Sequence, residues 1–413
     1  MTHEVLPRRT VVWLFVAFAS AYFLSTLLRA ITATLSPTLS LEFGLQARDL
    51  GLLAGGYFFG FSLTQLPMGR WLDQYGPKKV VLSFLVVAVM GCLAFAWADD
   101  FAGLLLARVL IGVGVSACLM APLTGYRRWM AMEKQHRANA WMLMIGALGM
   151  LSSTLPVQWL LPVIGWRWIF VGLALLIVLS MLLMAWQVPQ WRSAATSETS
   201  AASEKSGGIL ASYSEVWANP YFRSLVPMGF FNNGGLIAMQ TLWAGPWMIK
   251  VAGYSSLEAA TGLFAINVCM LVTFWVWGLV TPALNARGIN ATKLMMYGVP
   301  LNFCVQIYIL LAGADAGALH WALFCITGSF VTLAQPAVGM AFPHALAGRG
   351  LSAYNLVMFL GVFVVQWSMG LMIDGFKAYG WQEPEAFQGA LAVFLVCCVL
   401  SYVHFVKHRS DRS

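Results

Sequence analysis

The feature that most limits the fold of this chain is a succession of long apolar runs that are almost free of charged residues. A helix needs about 20 apolar residues to cross the hydrocarbon core of a bilayer, and runs of this length recur along the sequence. Only 10% of the residues are charged, whereas a soluble domain carries about 25%. The runs also lack the alternation of apolar and polar residues that a transmembrane β-barrel needs. The sequence therefore predicts an all-α membrane protein.

Twelve of the apolar runs are long enough to span a membrane. We place them at 11–34, 49–72, 80–98, 102–125, 140–163, 168–187, 222–247, 257–282, 293–314, 318–341, 352–374 and 386–406. One long polar segment separates the first six runs from the last six, and its Ser, Ala, Thr and Glu content is typical of a linker. We therefore predict an N-terminal six-helix bundle over 1–187, a linker over 188–221 and a C-terminal six-helix bundle over 222–413.

The basic residues between the predicted spans indicate the orientation of the chain. Of the 24 Lys and Arg residues, eighteen lie on the side that holds both termini and the linker, and four lie on the opposite side. Positive charge accumulates in the cytoplasmic loops of membrane proteins. We therefore expect a multi-pass protein of the bacterial cell (inner) membrane with both termini in the cytoplasm. The net charge of +8 follows from this asymmetry and predicts no nucleic-acid partner.

The residue types that carry metals, cofactors or catalysis are not grouped in this sequence. All seven cysteines fall inside apolar runs, without the spacing of a metal site or a disulfide framework. The sequence has no GxxxxGK[ST] phosphate-binding loop and no pairing of a nucleophile with a base. We expect no metal, no cofactor and no enzymatic activity.

The loop between the second and third spans carries a motif of small and charged residues. It reads Gly69-Arg-Trp-Leu-Asp73-Gln-Tyr-Gly76-Pro-Lys78-Lys79. A tight turn needs small residues at its corners, and a carboxylate beside helix ends can accept amide hydrogen bonds. Taken alone, these residues fit an ordinary basic cytoplasmic loop. At this position the motif resembles the loop 2–3 signature of the major facilitator superfamily, Gly-x-x-x-Asp-(Arg/Lys)-x-Gly-(Arg/Lys)-(Arg/Lys), from which Gln74 and Pro77 depart.

Three further stretches match where that superfamily would place them. They are Arg108-x-x-x-Gly112-x-Gly114 in span four, Gly165-Trp166-Arg167-Trp168-Ile169-Phe170 at the opening of span six, and Gly278 with Arg287-Gly288 between spans eight and nine. The resemblance covers nearly the whole chain. It implies two six-helix bundles, each built of inverted three-helix repeats, that rock about a central site. It also implies a gating role for the loop residues Gly69, Asp73, Gly76, Lys78 and Lys79.

Two arginines, Arg29 and Arg108, lie inside predicted spans, where a cation is costly unless it meets water, a partner or a ligand. Both are predicted roughly 8–10 Å from the midplane on the outer side. The interior of the predicted spans contains no Asp or Glu. Two cations without a fixed counter-ion suit an anionic ligand, because a guanidinium can bind a carboxylate through two hydrogen bonds. The alternatives for Arg29 are snorkelling toward the outer headgroups or bonding to carbonyls of the span, and the resemblance implies a structural or coupling role as the alternative for Arg108.

Polar and aromatic residues within the spans complete the predicted substrate site. They are Tyr22, Tyr57, Gln65, Asn232, Asn233, Gln240, Trp243, Asn267 and Gln366. Glycines and Pro246 weaken span seven, which is tolerated where backbone lines a cavity or a gate. For each polar residue the alternative is an ordinary interhelical hydrogen bond. The tryptophans near span ends are instead predicted in the interfacial aromatic belt, at Trp166, Trp168, Trp247 and Trp321.

Together these features predict a secondary active transporter that moves a small organic anion, in particular a carboxylate, by alternating access and proton-coupled uptake. Span five lacks the Gly-Pro pair of many antiporters, which favours uptake. The alternatives are efflux of a drug-like compound or metabolite and a transporter-like ligand sensor. Cationic-drug antiporters generally place a carboxylate in the membrane, and a sensor needs a larger cytoplasmic surface. The expected partners are the anionic substrate, protons and membrane lipid, and the expected oligomeric state is a monomer.

Overall fold

The computed structural model of the chain describes residues 7–130, 132–190 and 209–408. Helices form nearly all of this part, which contains no strand. The α-helices are α1 (Arg8–Phe43), α2 (Ala47–Leu63), α3 (Gln65–Ala96), α4 (Phe101–Val115), α5 (Met120–Trp129), α6 (Met132–Ser152), α7 (Leu155–Gln187), α8 (Ile209–Ala218), α9 (Pro220–Met228), α10 (Gly234–Ala238), α11 (Ala244–Lys250), α12 (Ser256–Ala286), α13 (Ala291–Ala312), α14 (Ala318–Gly328), α15 (Ala334–Ala341), α16 (His344–Ala378) and α17 (Glu383–His408). The all-α prediction is confirmed, while residues 191–208 of the predicted linker lie outside the described residues.

Twelve passages can be followed along these helices. Nine helical stretches within the described ranges are long and apolar enough to cross a membrane. Two of the nine join helices of the list above: Phe101–Trp129 contains α4 and α5, and Ala318–Ala341 contains α14 and α15. The other three passages are divided: span two comprises α2 and the start of α3, and span five comprises α6 and the start of α7. Span seven runs from α9 to α11 through two short π-helical segments. The predicted twelve-helix fold is therefore confirmed, although five passages, the second, fourth, fifth, seventh and tenth, are not single helices.

Glycines with positive φ mark the junctions between adjacent passages. Gly76 interrupts α3 with φ 79° and ψ 160°, and Gly165 interrupts α7 with φ 73° and ψ 161°. Residues with a Cβ rarely adopt this conformation, so both junctions require glycine. Gly288 and Gly380, also with positive φ, lie at the corresponding junctions in the second half of the sequence. This recurrence is what an internal repeat of three-helix units leaves.

The chain divides into two compact units. One comprises residues 1–31 and 59–208, and the other comprises residues 32–58 and 209–413. The divisions fall within α1 and α2, so part of each helix belongs to each unit. The six-plus-six division with a linker over 188–221 stays a prediction.

Small residues let helices approach closely within each unit. In the first unit, a Cβ on Gly91 of α3 would lie 2.8 Å from the Ile111 backbone nitrogen of α4. In the second unit, a Cβ on Gly234 of α10 would lie 2.9 Å from the Met358 carbonyl oxygen of α16. Close packing of this kind drives helices together in lipid. The hydrophobic effect does not, because apolar side chains there are surrounded by equally apolar lipid tails.

Three of the four tryptophans predicted in the interfacial belt are buried. The exposed fraction is 4% for Trp166, 2% for Trp247 and 1% for Trp321, so the belt prediction is wrong for these residues, whereas Trp168 is 67% exposed. Aromatic partners explain the burial: the Trp166 ring meets the Phe95 ring edge-on at 5.6 Å, and Trp247 and Trp321 meet each other at 5.7 Å. Position near a span end does not determine which face of the helix a ring occupies.

Candidate functional site

Arg108 is the most deeply buried charge among the described residues of the first unit. Its side chain on α4 has no exposed surface, and its Nη1 donates a hydrogen bond of 2.9 Å to the Leu28 carbonyl oxygen of α1. A buried cation is tolerated where protein dipoles replace water, and a carbonyl oxygen is such a dipole. Arg108 therefore connects α4 to the backbone of α1 at the residue before Arg29.

Arg29 lies at the same level of α1 and is only partly buried. Its guanidinium carbon lies 5.7 Å from the centroid of the Phe61 ring, a distance that allows a cation–π interaction. Arg108 therefore meets the backbone of α1 next to Arg29, and a site shared by the two guanidinium groups stays a prediction. Whether Arg29 contacts a substrate stays a prediction.

Tyr22 and Gln65 are the other predicted substrate residues of the first unit, and both are buried. Tyr22 packs against Gly146 of α6, where a Cβ would lie 3.1 Å from the phenol oxygen. Gln65 donates from Nε2 to the Phe61 carbonyl oxygen at 3.2 Å, four residues earlier in the same span. Gln65 therefore has a local partner in this structure.

The loop 2–3 motif forms the junction within α3. Gly76 supplies the positive φ at the corner, and the Lys78 ammonium donates to the carbonyl oxygens of Ala185 and Val188, at 2.6 and 2.8 Å. These carbonyls lie at the C-terminal end of α7, where a cation is stabilised by the helix dipole. Asp73 and Lys79 are exposed, and a Cβ on Gly69 would meet no atom within 4 Å. The gating role of the motif stays a prediction.

Two π-helical segments divide span seven. They cover Gly229–Asn233 and Met239–Trp243, and they contain all four of the span-seven residues predicted for the substrate site. A π-helical turn adds one residue, shifts the side chains that follow around the helix axis, and often occurs at functional sites. The sequence indicated a weakened helix here through its glycines and Pro246, but not the π geometry.

The first π-helical segment is tied to neighbouring helices. Asn232 donates from Nδ2 to the Ser401 hydroxyl at 2.7 Å and to the Cys398 carbonyl oxygen at 3.2 Å, both on α17. The Nδ2 atom of Asn233 lies 3.5 Å from the Tyr354 hydroxyl of α16. These contacts match the interhelical alternative considered for both asparagines.

The second π-helical segment carries polar contacts to α12 and α16. Gln240 donates from Nε2 to the Asn267 side-chain oxygen of α12 at 3.0 Å, and Gln366 of α16 donates to the Thr241 hydroxyl at 3.1 Å. The Trp243 indole nitrogen donates to the Gln366 backbone oxygen at 3.2 Å. The side-chain oxygen of Gln366 is buried and accepts no hydrogen bond from the described residues. The structure thus brings Gln240, Trp243, Asn267 and Gln366 into one cluster.

Tyr57 belongs to the second unit and is completely buried, with its ring edge-on to Phe58 at 5.1 Å. Sequence reasoning missed Thr241 and Tyr354, which complete the contacts of the predicted residues. Thr241 follows Gln240 directly, so a polar pair inside an apolar run was the signal available for it. Tyr354 gave no comparable signal, because its partner Asn233 lies 121 residues away in the chain.

Two hollows in the described part of the chain contain none of the predicted substrate residues. One, of about 660 Å³, lies along α7 beside Val163, Trp168 and Leu175. The other, of about 490 Å³, lies near Asn285, Asn290 and Met340 at the α12–α13 junction. Apart from Arg29, which is partly exposed, the residues predicted for the substrate site are buried in this structure.

Comparison with known proteins places the chain in a family. The family model described as Major Facilitator Superfamily matches residues 18–366. The chain belongs to this superfamily. Its family and fold are those of membrane transporters rather than enzymes, and the protein is accordingly a multi-pass secondary transporter with a small-molecule substrate.

Curated superfamily relatives are distant but extend over most of the chain. The inner membrane transport protein YajR of Escherichia coli (strain K12) is 26% identical over 79% of this chain and 69% of its own length. Probable anion transporter 1, chloroplastic, of Oryza sativa subsp. japonica is 24% identical over 94% and 75%. The ascorbate transporter, chloroplastic, of Arabidopsis thaliana is 22% identical over 95% and 74%.

Solved structures share the fold of this superfamily member along almost its full length. A bacterial homologue of the human lysosomal transporter Spinster, in an inward-facing and unoccupied conformation, aligns with a TM-score of 0.77 at 18% identity, covering 99% of this chain and 100% of the other. A D-xylose-proton symporter aligns with a TM-score of 0.79 at 14% identity, covering 97% and 98%. At these identities the likeness concerns the fold alone.

Proposed function

We propose that this superfamily member takes up a small organic anion, in particular a carboxylate, together with protons by alternating access. The observation that carries the proposal is that Arg108 bonds to the α1 backbone at Leu28, the residue before Arg29, in a chain whose predicted spans have no Asp or Glu in their interior. If the two guanidinium groups share one site, they repel each other in a medium of low dielectric constant, and an anion bound between or beside them relieves that repulsion.

The two arginines receive different roles in this proposal. Arg108 is fully buried and bonded to the α1 backbone, so it supplies positive charge and holds α1 in place. Arg29 is partly exposed and lies over an aromatic ring, so its planar fork of donors can reach the carboxylate of a solute. Arg29 is therefore the proposed substrate ligand, and Arg108 its electrostatic support.

The named activities of two relatives support an anionic substrate. The rice relative is named a probable anion transporter and the Arabidopsis relative an ascorbate transporter. Efflux of a drug-like compound is the competing function. Uptake is favoured because span five replaces the antiporter Gly-Pro pair with Gly146 and Gly149, which pack against Tyr22 and Thr26 of α1. We further propose a monomer in the inner membrane, surrounded by lipid, with both termini in the cytoplasm, as the charge asymmetry predicts.

The proposed function is tested with purified protein in proteoliposomes. Radiolabelled monocarboxylates, dicarboxylates, sugar acids and ascorbate are offered outside the vesicles, with and without an acidic exterior. We expect at least one acid to accumulate inside when the exterior is acidic. If neutral or cationic drug-like compounds move and no acid does, the anion assignment is wrong and efflux takes its place.

Substitutions of Arg29 test the site itself. Arg29→Lys keeps the charge but loses the planar pair of donors, whereas Arg29→Gln loses both. We expect Arg29→Lys to retain weak uptake of the identified acid. Arg29→Gln should reduce uptake at least about tenfold relative to the parent, because it loses a charge-assisted contact worth about 1.5–3 kcal/mol. Arg167→Gln is the matched control, because Arg167 lies beside Trp166 and Asp99 rather than on α1. If a folded Arg29→Gln variant takes up the acid as well as the parent does, Arg29 is a structural cation and does not bind the substrate.

A further inference from the structure

The carboxylate of Asp374, near the end of α16, binds the first amides of α2. Asp374 Oδ1 accepts a hydrogen bond of 3.2 Å from the Ala47 amide, and Oδ2 accepts one of 2.8 Å from the Arg48 amide. The first amides of a helix have no partner within that helix, and a negative charge there is favoured by the helix dipole. Asp374 therefore caps α2 across a separation of more than 300 residues in the chain.

Below this cap, α2 and α16 are in backbone contact. A Cβ on Gly370 would collide with the Ala47 carbonyl oxygen, and a Cβ on Gly51 would collide with the Gln366 carbonyl oxygen. A Cβ on Gly55 would lie 2.9 Å from the Phe363 ring. Ala47, Gly51 and Gly55 are four residues apart, so they form one small-residue face of α2 along α16.

Two carboxylates accept hydrogen bonds at the N-terminus of α2, one from the same segment and one from α16. Asp49 accepts a hydrogen bond of 3.1 Å from the Gln46 amide and acts within the segment that it caps. Asp374 acts between two helices. The compact units of the chain independently group residues 32–58 with residues 209–413 rather than with the remainder of α1 and α2. The Asp374 cap and the small-residue face of α2 therefore lie where residues 32–58 pack against the second half of the sequence.

We propose that Asp374 is a positioning residue of the transport cycle: it clamps the start of α2 onto α16 at the predicted external end, and this clamp opens once in each cycle. The inference rests on the proposed function, because alternating access is what requires the external end to open. The clamp can be broken without unfolding either helix, since Asp49 still caps α2 and the glycine contacts involve no covalent or buried ionic link. The strength of the clamp then sets the fraction of molecules that are closed at this end.

Hydrogen–deuterium exchange of the purified full-length protein, without substrate, tests the clamp. Asp374→Asn removes the charge and one of the two acceptor oxygens. Gly370→Val retains Asp374 but forces the helices apart. For both variants we expect amide exchange to accelerate about tenfold or more in peptides that cover residues 47–55 and 359–370 together, and to stay unchanged in peptides from α4. A tenfold change corresponds to about 1.4 kcal/mol in the opening equilibrium.

Two control variants define what would overturn the inference. Gly375→Ala lies on α16 where a Cβ would meet no atom within 4 Å, and Asp49→Asn removes the cap within α2 together with the partly exposed ion pair of Asp49 with Arg48 at 3.7 Å. Both should leave the exchange of 359–370 at the parent rate. If exchange accelerates only at residues 47 and 48 of the Asp374 variant, or does not change, Asp374 is an ordinary helix cap and not a clamp. If exchange accelerates in every peptide, Asp374 is a general stabiliser of the fold. Each of these results would overturn the inference. Since no substrate is present, the absence of anion transport would refute the proposed function and leave this result intact.

Discussion

At the scale of single residues, the polar side chains of span seven differ in how firmly they hold helices together. Asn232 is firmly held, since both hydrogen bonds of its Nδ2 atom end on α17. The hydrogen bond from its neighbour Asn233 to Tyr354 is 3.5 Å long, at the outer limit for such a bond. Two residues of the same type, adjacent in one π-helical segment, therefore differ in how strongly they are tied to the fold.

This difference predicts unequal effects of substitution. Asn232→Ala should lower the free energy of unfolding by about 1–3 kcal/mol, because the Ser401 hydroxyl and Cys398 carbonyl lose a buried donor. Asn233→Ala should lower it by less than half as much. Thermal unfolding of both variants in the same detergent, followed by tryptophan fluorescence, measures the difference. Equal melting temperatures would contradict the structural role of Asn232, and a folded Asn232→Ala variant that no longer binds its anion would return this residue to the substrate site.

The residues also show what the sequence could and could not predict. Gly76 was predicted at a corner because a local motif of small and charged residues surrounds it, and its positive φ confirms the corner. A buried partner for Arg108 could be expected because a cation in hydrocarbon is costly in isolation, but the Leu28 carbonyl that accepts its hydrogen bond could not be identified, since a backbone group carries no side-chain signal. The capping role of Asp374 was not predictable, because its partners are more than 300 residues away and their amides carry no side-chain signal.

At the scale of elements, hydropathy located the spans but not the ends or the continuity of the helices. The first helix runs from Arg8 to Phe43, whereas the predicted span covers 11–34, because hydropathy detects only the stretch inside the hydrocarbon core. The π-helical segments of span seven were beyond local prediction. They adjoin Gly234 and Gly235, which lie against α16 and α17, so neighbouring helices take part in fixing that geometry.

The contact of span seven with α16 gives a prediction at this scale. In Gly234→Ala, the new Cβ would lie 2.9 Å from backbone atoms of Met358, Gly361 and Val362, which cannot turn aside as a flexible side chain would. Overpacking of this kind costs about 1–3 kcal/mol, so the variant should melt at a lower temperature than the parent.

Gly172→Ala in α7 is the matched control for this substitution. Its Cβ would meet no atom within 4 Å, so the helix-forming preference of alanine should leave stability unchanged or raise it by up to about 1 kcal/mol. Melting curves of the two variants and the parent, recorded in one detergent, make the comparison. If Gly234→Ala melts at or above the temperature of Gly172→Ala, the close contact of α10 with α16 is not as the structure shows it.

At the scale of the whole molecule, the distribution of charge limits how transport can be driven. Moving one negative charge inward against 100 mV costs about 2.3 kcal/mol, so accumulation of a monoanion needs a co-transported cation or an exchanged anion. The interior of the predicted spans offers no Asp or Glu to carry a proton. His320 is a titratable alternative in α14, where its ring lies 4.9 Å from that of Tyr308. A carboxylic acid can also carry the proton itself.

We therefore predict electroneutral uptake in which one proton accompanies each monoanion. In proteoliposomes, each unit of pH gradient, acidic outside, should raise the accumulation ratio about tenfold, since one pH unit corresponds to about 1.4 kcal/mol. A potassium diffusion potential set by valinomycin should change the initial rate less than about twofold, because no net charge moves.

His320→Gln should keep the response to the pH gradient if the substrate carries the proton. A folded His320→Gln variant that loses this response would identify His320 as the proton carrier. A strong dependence on the diffusion potential without any pH gradient would rule out electroneutral symport, and uptake that requires the same anion inside the vesicles would identify an exchanger instead.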